Sequence, residues 1–178
     1  MDERVCAHVR LLPALLPSSA SEVDTHGGTW HSTDVLYAEP HVERLWCWVV
    51  DGAQRHRLML HVIHPCRGAA LYHPHRWPSA MYILRGEYDQ DVGRGEWRPS
   101  ITETRREAQG SCYAMAHRDD WHAVRVPAGG VALTVMMTGE PYVPAREMPD
   151  APSGAQPMLS RERIGELIGL FRSAVNDL

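Results

Sequence analysis

The sequence predicts an all-β fold with short helices before it and one helix after it. Three observations support this prediction. Between Trp30 and Glu140 the chain is a series of short segments rich in Val, Ile, Tyr, Trp and Thr, the residues that are enriched in strands. Turns containing Gly, Pro or Asp separate these segments, and no helical pattern lies between them. Many short strands at regular spacing are typical of a sandwich or a barrel.

The composition is that of an ordinary globular domain. Of the 178 residues, 44% are hydrophobic and 22% are charged, so we predict a single domain over residues 1–178. The formal net charge of −4 gives no electrostatic reason to expect a nucleic-acid or membrane partner. No apolar run approaches the roughly 20 residues of a membrane helix, and the charged start lacks a signal-peptide pattern. We therefore expect a cytoplasmic protein.

The cysteines and the basic residues exclude several kinds of site. The four cysteines are widely spaced and form no Cys-x-x-Cys pair, so we expect reduced thiols rather than a structural zinc site or a disulfide framework. All 18 basic residues are arginine, which excludes Schiff-base chemistry through lysine and a Gly-Lys phosphate loop. Histidine, with 11 copies, is the abundant residue with metal-binding and acid–base chemistry.

Residues 1–33 are predicted to form a helical lead-in. An apolar face is available from Val9, Leu11, Leu12, Leu15 and Leu16. Pro13 and Pro17 are expected to break this helix into short pieces. A second helix start is predicted at Ser18 or Ser19, with Glu22 completing a capping box.

A barrel core is predicted at about residues 34–140. The predicted strands are Val35–Ala38, Arg44–Val50, Arg57–Ile63, Ala80–Leu84, Glu87–Val92, Trp97–Thr104, Ser111–Ala116, His122–Val126 and Val131–Thr138. Residues 141–178 follow it. The Pro-rich part, Pro141–Pro157, is expected to be an extended strap over the barrel or a solvent-facing loop, and a helix capped by Ser160 comes after it. The apolar stripe of that helix either covers the barrel or meets a partner subunit.

Three histidines are the candidate metal ligands. In an extended chain the side chains of His73 and His75 point to the same face, so both imidazoles can bind one ion. Downstream, Gly110 opens a strand and a polar turn that lead to His122. A barrel strand that carries His122 could place it opposite the pair.

These residues resemble the motifs of the cupin superfamily over roughly residues 45–140. Gly68, His73, His75 and Gly86 match the first motif in order and spacing, and Gly110 and His122 fit the second. His117 and Asp119 stand where that motif usually has proline and glycine. The resemblance implies a cupin-type double-stranded β-helix, that is, a jelly-roll barrel. It also allows a homodimer, because cupins often pair through barrel edges and an exposed edge strand needs covering.

The sequence departs from the family at Ser79, which stands where the first motif usually has a glutamate. The implied site is therefore His73, His75 and His122 without a carboxylate. Such a site suits one divalent transition metal, with Fe(II) first and Zn(II), Ni(II) or Cu(II) as alternatives, better than Mg(II) or Ca(II). Three protein ligands leave coordination positions open. The layout is similar to that of thiol dioxygenases, although that family's serine–histidine–tyrosine relay is not visible.

Other side chains are candidates for roles around the metal. Tyr113 is predicted as a catalytic hydrogen-bond donor or acid, with core packing as the alternative. One of His61 and His64 is expected to reach the pocket, and His117 is an alternative ligand. An arginine that points into the barrel mouth could bind a substrate carboxylate. The candidates lie in predicted strands, and the alternative for each is a solvated surface position: Arg57, Arg98, Arg105 and Arg125. Trp77 and Trp121 are expected to shield the ligands from water, and Glu87 to lie on a surface hairpin.

The predicted function is a metal-dependent oxygenation. Substrate and dioxygen would occupy the open positions of an Fe(II) dioxygenase that acts on a small polar or anionic molecule. One alternative is a non-redox zinc or nickel isomerase, lyase or coupling enzyme. A non-catalytic cupin that binds a small molecule is another.

Overall fold

Two antiparallel sheets and two helices form the protein, in a computed structural model that describes residues 2–26, 28–143 and 156–178. The elements are α1 (Asp2–Leu15), a 3-10 helix (Ala20–Glu22), β1 (Trp30–Val35), β2 (Val42–Asp51), β3 (Gln54–Ile63), β4 (His73–Pro74), β5 (Ser79–Arg85), β6 (Glu87–Arg94), β7 (Glu103–Ala108), β8 (Cys112–Met115), β9 (Asp120–Arg125), β10 (Ala132–Thr138) and α2 (Arg161–Asn176).

The strand order is that of a two-sheet sandwich in which segments distant in sequence become neighbours. One sheet has the order β1-β2-β3-β10-β5-β8 and the other β4-β9-β6-β7, and every pairing between these strands is antiparallel. Strand β10 lies between β3 and β5, so the last strand of the chain joins β1–β3 to β5 and β8 in one sheet. The predicted all-β, cupin-type jelly-roll fold is confirmed.

Alternation along the strands divides the buried side chains into two cores. One face of the six-stranded sheet meets the four-stranded sheet. Its inner core includes Met59 and Met81 from one sheet and Tyr88 and Val124 from the other. The opposite face packs against α1 and α2, and the outer core includes Leu60 and Phe171. The metal-site histidines belong to the space between the sheets.

The C-terminal helix covers the barrel. Ser160 caps α2 by accepting a hydrogen bond from the Arg163 amide, as the sequence predicts. The predicted stripe is fully buried against the outer face of the larger sheet: Ile164, Leu167, Ile168 and Phe171. Of the two alternatives for this stripe, packing on the barrel is the one observed.

The N-terminal predictions need correction. Helix α1 runs from Asp2 to Leu15 with Pro13 inside it, so this proline does not divide the helix as predicted. The buried face is Val5, Val9, Leu12 and Leu16, whereas Leu11 is 53% exposed. The predicted second helix is only the 3-10 turn, and Ser19 makes no capping hydrogen bond with its side chain.

Two strand predictions are displaced. The first strand is Trp30–Val35 rather than Val35–Ala38, and β7 is Glu103–Ala108 rather than Trp97–Thr104. The short strand β4 has no counterpart among the predicted strands. Most of the predicted strap lies outside the described residues. Where the chain resumes, the Asp34 amide donates to the Pro157 carbonyl at 2.8 Å, so this segment runs along β1.

Gly86 makes the turn between β5 and β6 possible. Its φ is +81°, and a Cβ there would lie 2.2 Å from the Val131 carbonyl oxygen. Only glycine fits such a position without strain. In the described part of the chain, neither helix is long and apolar enough to cross a membrane.

Candidate metal centre

The register of the smaller sheet brings the three predicted histidines together. His73 on β4 pairs directly with His122 on β9, and His75 follows β4 by one residue. The His122 ring centroid lies 4.7 Å from each of the other two, and those two are 5.6 Å apart. One ring nitrogen from each residue lies within 4.8 Å of the others. The predicted placement of His122 opposite the pair is therefore observed.

The nitrogen spacing fits a metal ion. His75 Nε2 lies 3.0 Å from His122 Nε2. Two nitrogens that each lie about 2.1 Å from one ion are separated by roughly 3.0–3.4 Å when the angle at the ion is about 90–109°. The three residues form a site for one divalent transition metal by spacing and by donor type. Their coordination of a metal remains a prediction.

Each histidine is held through its Nδ1 atom. His73 Nδ1 lies 3.0 Å from the Leu71 carbonyl oxygen, which can only accept, so the proton is on Nδ1 and Nε2 keeps its lone pair. His75 Nδ1 lies 2.5 Å from Ser79 Oγ. His122 Nδ1 lies 2.9 Å from the Gln90 side-chain amide. Hydrogen bonds of this kind orient ligand imidazoles around a metal.

Gln90 can also accept a hydrogen bond from a histidine Nδ1 if its side-chain amide is rotated by a half-turn. The Gln90 Oε1 atom is buried and has no hydrogen-bond partner among the described residues. Oxygen and nitrogen of such an amide exchange by a half-turn. For His122 to present a lone pair at Nε2, its Nδ1 must donate, and the Gln90 oxygen must accept. We therefore assign Gln90 as the acceptor for His122.

Burial keeps the three imidazoles neutral. Loss of solvent lowers the pKa of His73 and of His122, and it lowers the pKa of His75 to about 3. The neighbouring imidazoles add a smaller effect in the same direction for His75 and His122. A neutral imidazole has the lone pair that a metal requires, so the cluster is ready to bind a cation at neutral pH.

The cluster opens into a cavity of about 350 Å³ between the sheets. This volume suits a small molecule. Apolar side chains form much of its wall, among them Met59, Met81, Met136, Trp77 and Val124. A second depression of about 630 Å³ is lined by residues 36–39, 69–72 and 98 and contains no histidine, so the chemistry is expected in the first.

Ser79 and Tyr113 both belong to the site. Ser79 is fully buried on β5, and its hydroxyl contacts His75. Tyr113 lines the cavity and lies within the inner core, so its packing in the core is observed and its catalytic role stays a prediction. Its hydroxyl is 2.7 Å from that of Tyr88. Burial raises the pKa of both phenols, which therefore keep their protons.

The four arginines considered for the substrate lie elsewhere. Arg57 stacks over the indole rings of Trp46, Trp48 and Trp77, and Arg98 lines the second depression. On the smaller sheet, Arg105 pairs with Glu103 and Arg125 with Asp91. None of the four lines the histidine cavity, as far as the described residues show.

Of the other candidates, His61 reaches the cavity and His64 instead pairs with Glu43 at 2.7 Å. His117 lies in an exposed turn, outside the cluster, so its alternative role as a ligand is wrong. Glu87 pairs with Arg106 on the surface, as predicted. Trp77 lines the cavity, whereas Trp121 packs against Tyr72 and Trp97.

Sequence reasoning missed Arg44 and Gln90. Both have a usable signal, since each is a polar residue with an apolar residue two positions before it and two positions after it in its strand. Arg44 lies between Val42 and Trp46, and Gln90 lies between Tyr88 and Val92, at spacings of two residues. Alternation therefore places Arg44 and Gln90 inside the sandwich.

Comparison with known proteins yields structural likenesses only. No protein-family model matches the chain, and no curated protein matches it. KdgF from Halomonas sp. superposes with a TM-score of 0.42 at 15% identity, over 61% of this chain and 86% of that one. The Cnp3 cupin domain of Schizosaccharomyces pombe superposes with a TM-score of 0.39 at 11% identity, over 55% and 61%.

An Fe(II) form of HppE superposes with a TM-score of 0.41 at 13% identity, over 53% of this chain. The alignment spans 49% of the length of that chain. These are likenesses of fold.

Proposed function

We propose that the protein is a mononuclear metal-dependent enzyme, an Fe(II) dioxygenase that acts on a small polar or anionic substrate. The observation that supports this best is the convergence of three neutral imidazoles on the wall of a substrate-sized cavity. The donor set carries no charge, so a bound divalent ion keeps its full charge and attracts anionic or chelating molecules. His73, His75 and His122 would hold the ion.

A bound iron would supply open coordination positions for substrate and dioxygen and would exchange electrons with them. The chain's own residues supply orientation and a dry environment. Leu71, Ser79 and Gln90 fix the three imidazoles. The apolar wall excludes water, which strengthens electrostatic contacts inside the cavity.

Tyr113 is proposed to orient the substrate by hydrogen bonding. Tyr88 and Tyr113 share one hydrogen bond between their hydroxyls, so one of the two O–H hydrogens remains available for the substrate. Because burial raises the pKa of both phenols, this group acts as a donor at neutral pH. Replacement of Tyr113 by phenylalanine should lower turnover without removing the metal.

Metal analysis tests the site. Protein purified after expression in iron-supplemented medium should contain about one equivalent of metal, and the His73→Ala variant should contain only background. His117→Ala, which removes an exposed histidine outside the cluster, is the matched control and should keep its metal. Equal metal content in the wild type and His73→Ala would contradict the assignment.

Oxygen uptake tests the reaction. The iron-loaded protein should consume dioxygen only when a substrate is present, and the His122→Ala variant should not. The neutral donor set suits zinc and nickel as well, which keeps a non-redox isomerase, lyase or coupling enzyme as the alternative. Turnover that proceeds unchanged in the absence of dioxygen would favour that alternative.

A further inference from the structure

A row of polar side chains crosses the inner face of the larger sheet beside the metal site. Arg44 on β2 lies directly opposite His61 on β3, and His61 lies directly opposite Thr134 on β10. Directly opposed residues share one face of a sheet. All three residues line the same cavity as His73, His75 and His122.

The hydrogen bonds of this row fix the tautomer of His61. Arg44 Nε donates to His61 Nε2 at 2.9 Å, because a guanidinium can only donate. The ring proton of His61 is therefore on Nδ1, which faces Thr134 Oγ1 at 3.5 Å. Burial, with the Arg44 charge as a second cause, holds the pKa of His61 well below its usual value. His61 is thus a neutral acceptor for Arg44.

Arg44 is a cation without an anionic partner among the described residues. Within the described part of the chain, its guanidinium makes one hydrogen bond, through Nε, and forms no ion pair with a carboxylate. Loss of solvent lowers the pKa of Arg44 to about 10, so the group remains charged at neutral pH. A charge that has lost solvent is costly unless an anion accompanies it. The two terminal nitrogens of the Arg44 guanidinium are therefore the atoms that such an anion would contact.

We propose that the substrate carries a carboxylate, which Arg44 binds through its terminal nitrogens while His61 holds Arg44 in place. The inference rests on the proposed function, since it assigns the substrate class of the same cavity. A single guanidinium matches one carboxylate in charge and in two-pronged geometry. The surrounding Met59, Met81 and Met136 side chains fit an apolar body attached to that carboxylate. Arg44 is then a substrate-binding residue and His61 a positioning residue.

Titration calorimetry with simple carboxylates tests this assignment. The probes are acetate, benzoate and phenylacetate, with phenylacetamide as the uncharged match for phenylacetate. Chelator-treated wild-type protein should bind at least one carboxylate and should bind phenylacetamide much more weakly. Arg44→Met should weaken carboxylate binding by about 10- to 100-fold, the effect of removing charge-assisted hydrogen bonds. Arg76→Gln, which changes an exposed arginine at the same cavity, should leave binding within about twofold.

Two substitutions of His61 separate positioning from structure. His61→Gln keeps an acceptor for Arg44 Nε and should retain most carboxylate binding. His61→Leu removes the acceptor and should weaken binding, even where its melting temperature equals that of His61→Gln. With a turned-over substrate, His61→Leu should raise KM more than it lowers kcat. Equal binding by the two variants would remove the positioning role.

Calorimetry on metal-free protein tests the Arg44 site separately from the proposed metal-dependent function on which it rests. Carboxylate binding that persists after chelation and in His73→Ala supports the Arg44 site whether or not the metal assignment holds. Binding that requires metal and survives in Arg44→Met would place the carboxylate on the ion and overturn the proposal, while the metal site would stand. The absence of binding by all three carboxylates would also overturn it, as would loss of binding in Arg76→Gln but not in Arg44→Met.

Discussion

Ser79 Oγ lies 2.5 Å from the Nδ1 atom of His75, and the side chain is fully buried. Cupin motifs usually have a glutamate at this position, which the resemblance treats as a fourth ligand. Here the Ser79 hydroxyl contacts the Nδ1 atom of His75, a predicted ligand. The predicted set of three histidine ligands is therefore neutral.

Ser79→Ala should weaken metal binding by about tenfold, because the imidazole of His75 loses the partner that fixes its orientation. The affinity can be measured by competition with a chromogenic chelator. Ser173→Ala is the matched control, since it removes a serine on α2 that contacts Arg85 on the surface, and it should leave the affinity unchanged. Equal affinities of the two variants would show that Ser79 does not orient His75.

At the scale of elements, the contact between α2 and the barrel combines an apolar stripe with one buried charge cluster. Arg163 near the start of α2 donates to both carboxylate oxygens of Glu43 on β2 at 2.6 Å. His64 lies 2.7 Å from the same carboxylate. Burial alone would raise the pKa of Glu43, but the hydrogen bonds from Arg163 and His64 outweigh that effect and lower it. Glu43 thus ties the helix to the sheet as a carboxylate.

Glu43→Gln should destabilise the protein by about 3 kcal/mol at pH 7, since it leaves Arg163 without its buried partner. The pKa of Glu43 is lowered by folding, so its contribution is complete above the unfolded value of 4.5 and is lost as the pH falls below it. Denaturant unfolding from pH 7 to pH 3 should therefore show the gap between wild type and variant closing. Glu166→Gln, an exposed partner of Arg163, should cost less than about 1 kcal/mol. A gap that does not depend on pH would contradict the assigned role of Glu43.

At the scale of the whole molecule, the metal site is a product of folding. The predicted ligands come from β4, the residue just after it, and β9, while β5 and β6 supply Ser79 and Gln90. The unfolded chain has no such arrangement, so a metal ion would bind the native state preferentially. Binding free energy is then added to the stability of the fold.

Addition of Zn(II) at about 100 times its dissociation constant should stabilise the wild type by about 2.7 kcal/mol. For a domain of this size, that corresponds to a rise in melting temperature of roughly 5–10 °C. Differential scanning fluorimetry should show the rise in the wild type and in His117→Ala, and EDTA should reverse it. An equal rise in His122→Ala would mean that zinc acts elsewhere.

The homodimer remains a prediction. The larger sheet ends at β1 and β8, and the smaller at β4 and β7, so several edges are available for pairing. Analytical ultracentrifugation should give about twice the mass of one chain. A single species with the mass of one chain would remove this prediction.

The sequence by itself determined the strand-rich texture, most strand positions and the His73/His75 pair, because these depend on local alternation and on spacing within one segment. Where local pattern was weak, prediction failed: β7 exposes four of its six residues, and its position follows from pairing with β6. Tertiary structure alone decided which residues meet between the sheets. His122 reaches His73 through strand register, and Arg44, His61 and Thr134 form a row only after β10 inserts beside β3. Contacts of this kind join residues distant in sequence, and no local pattern encodes the register that brings them together.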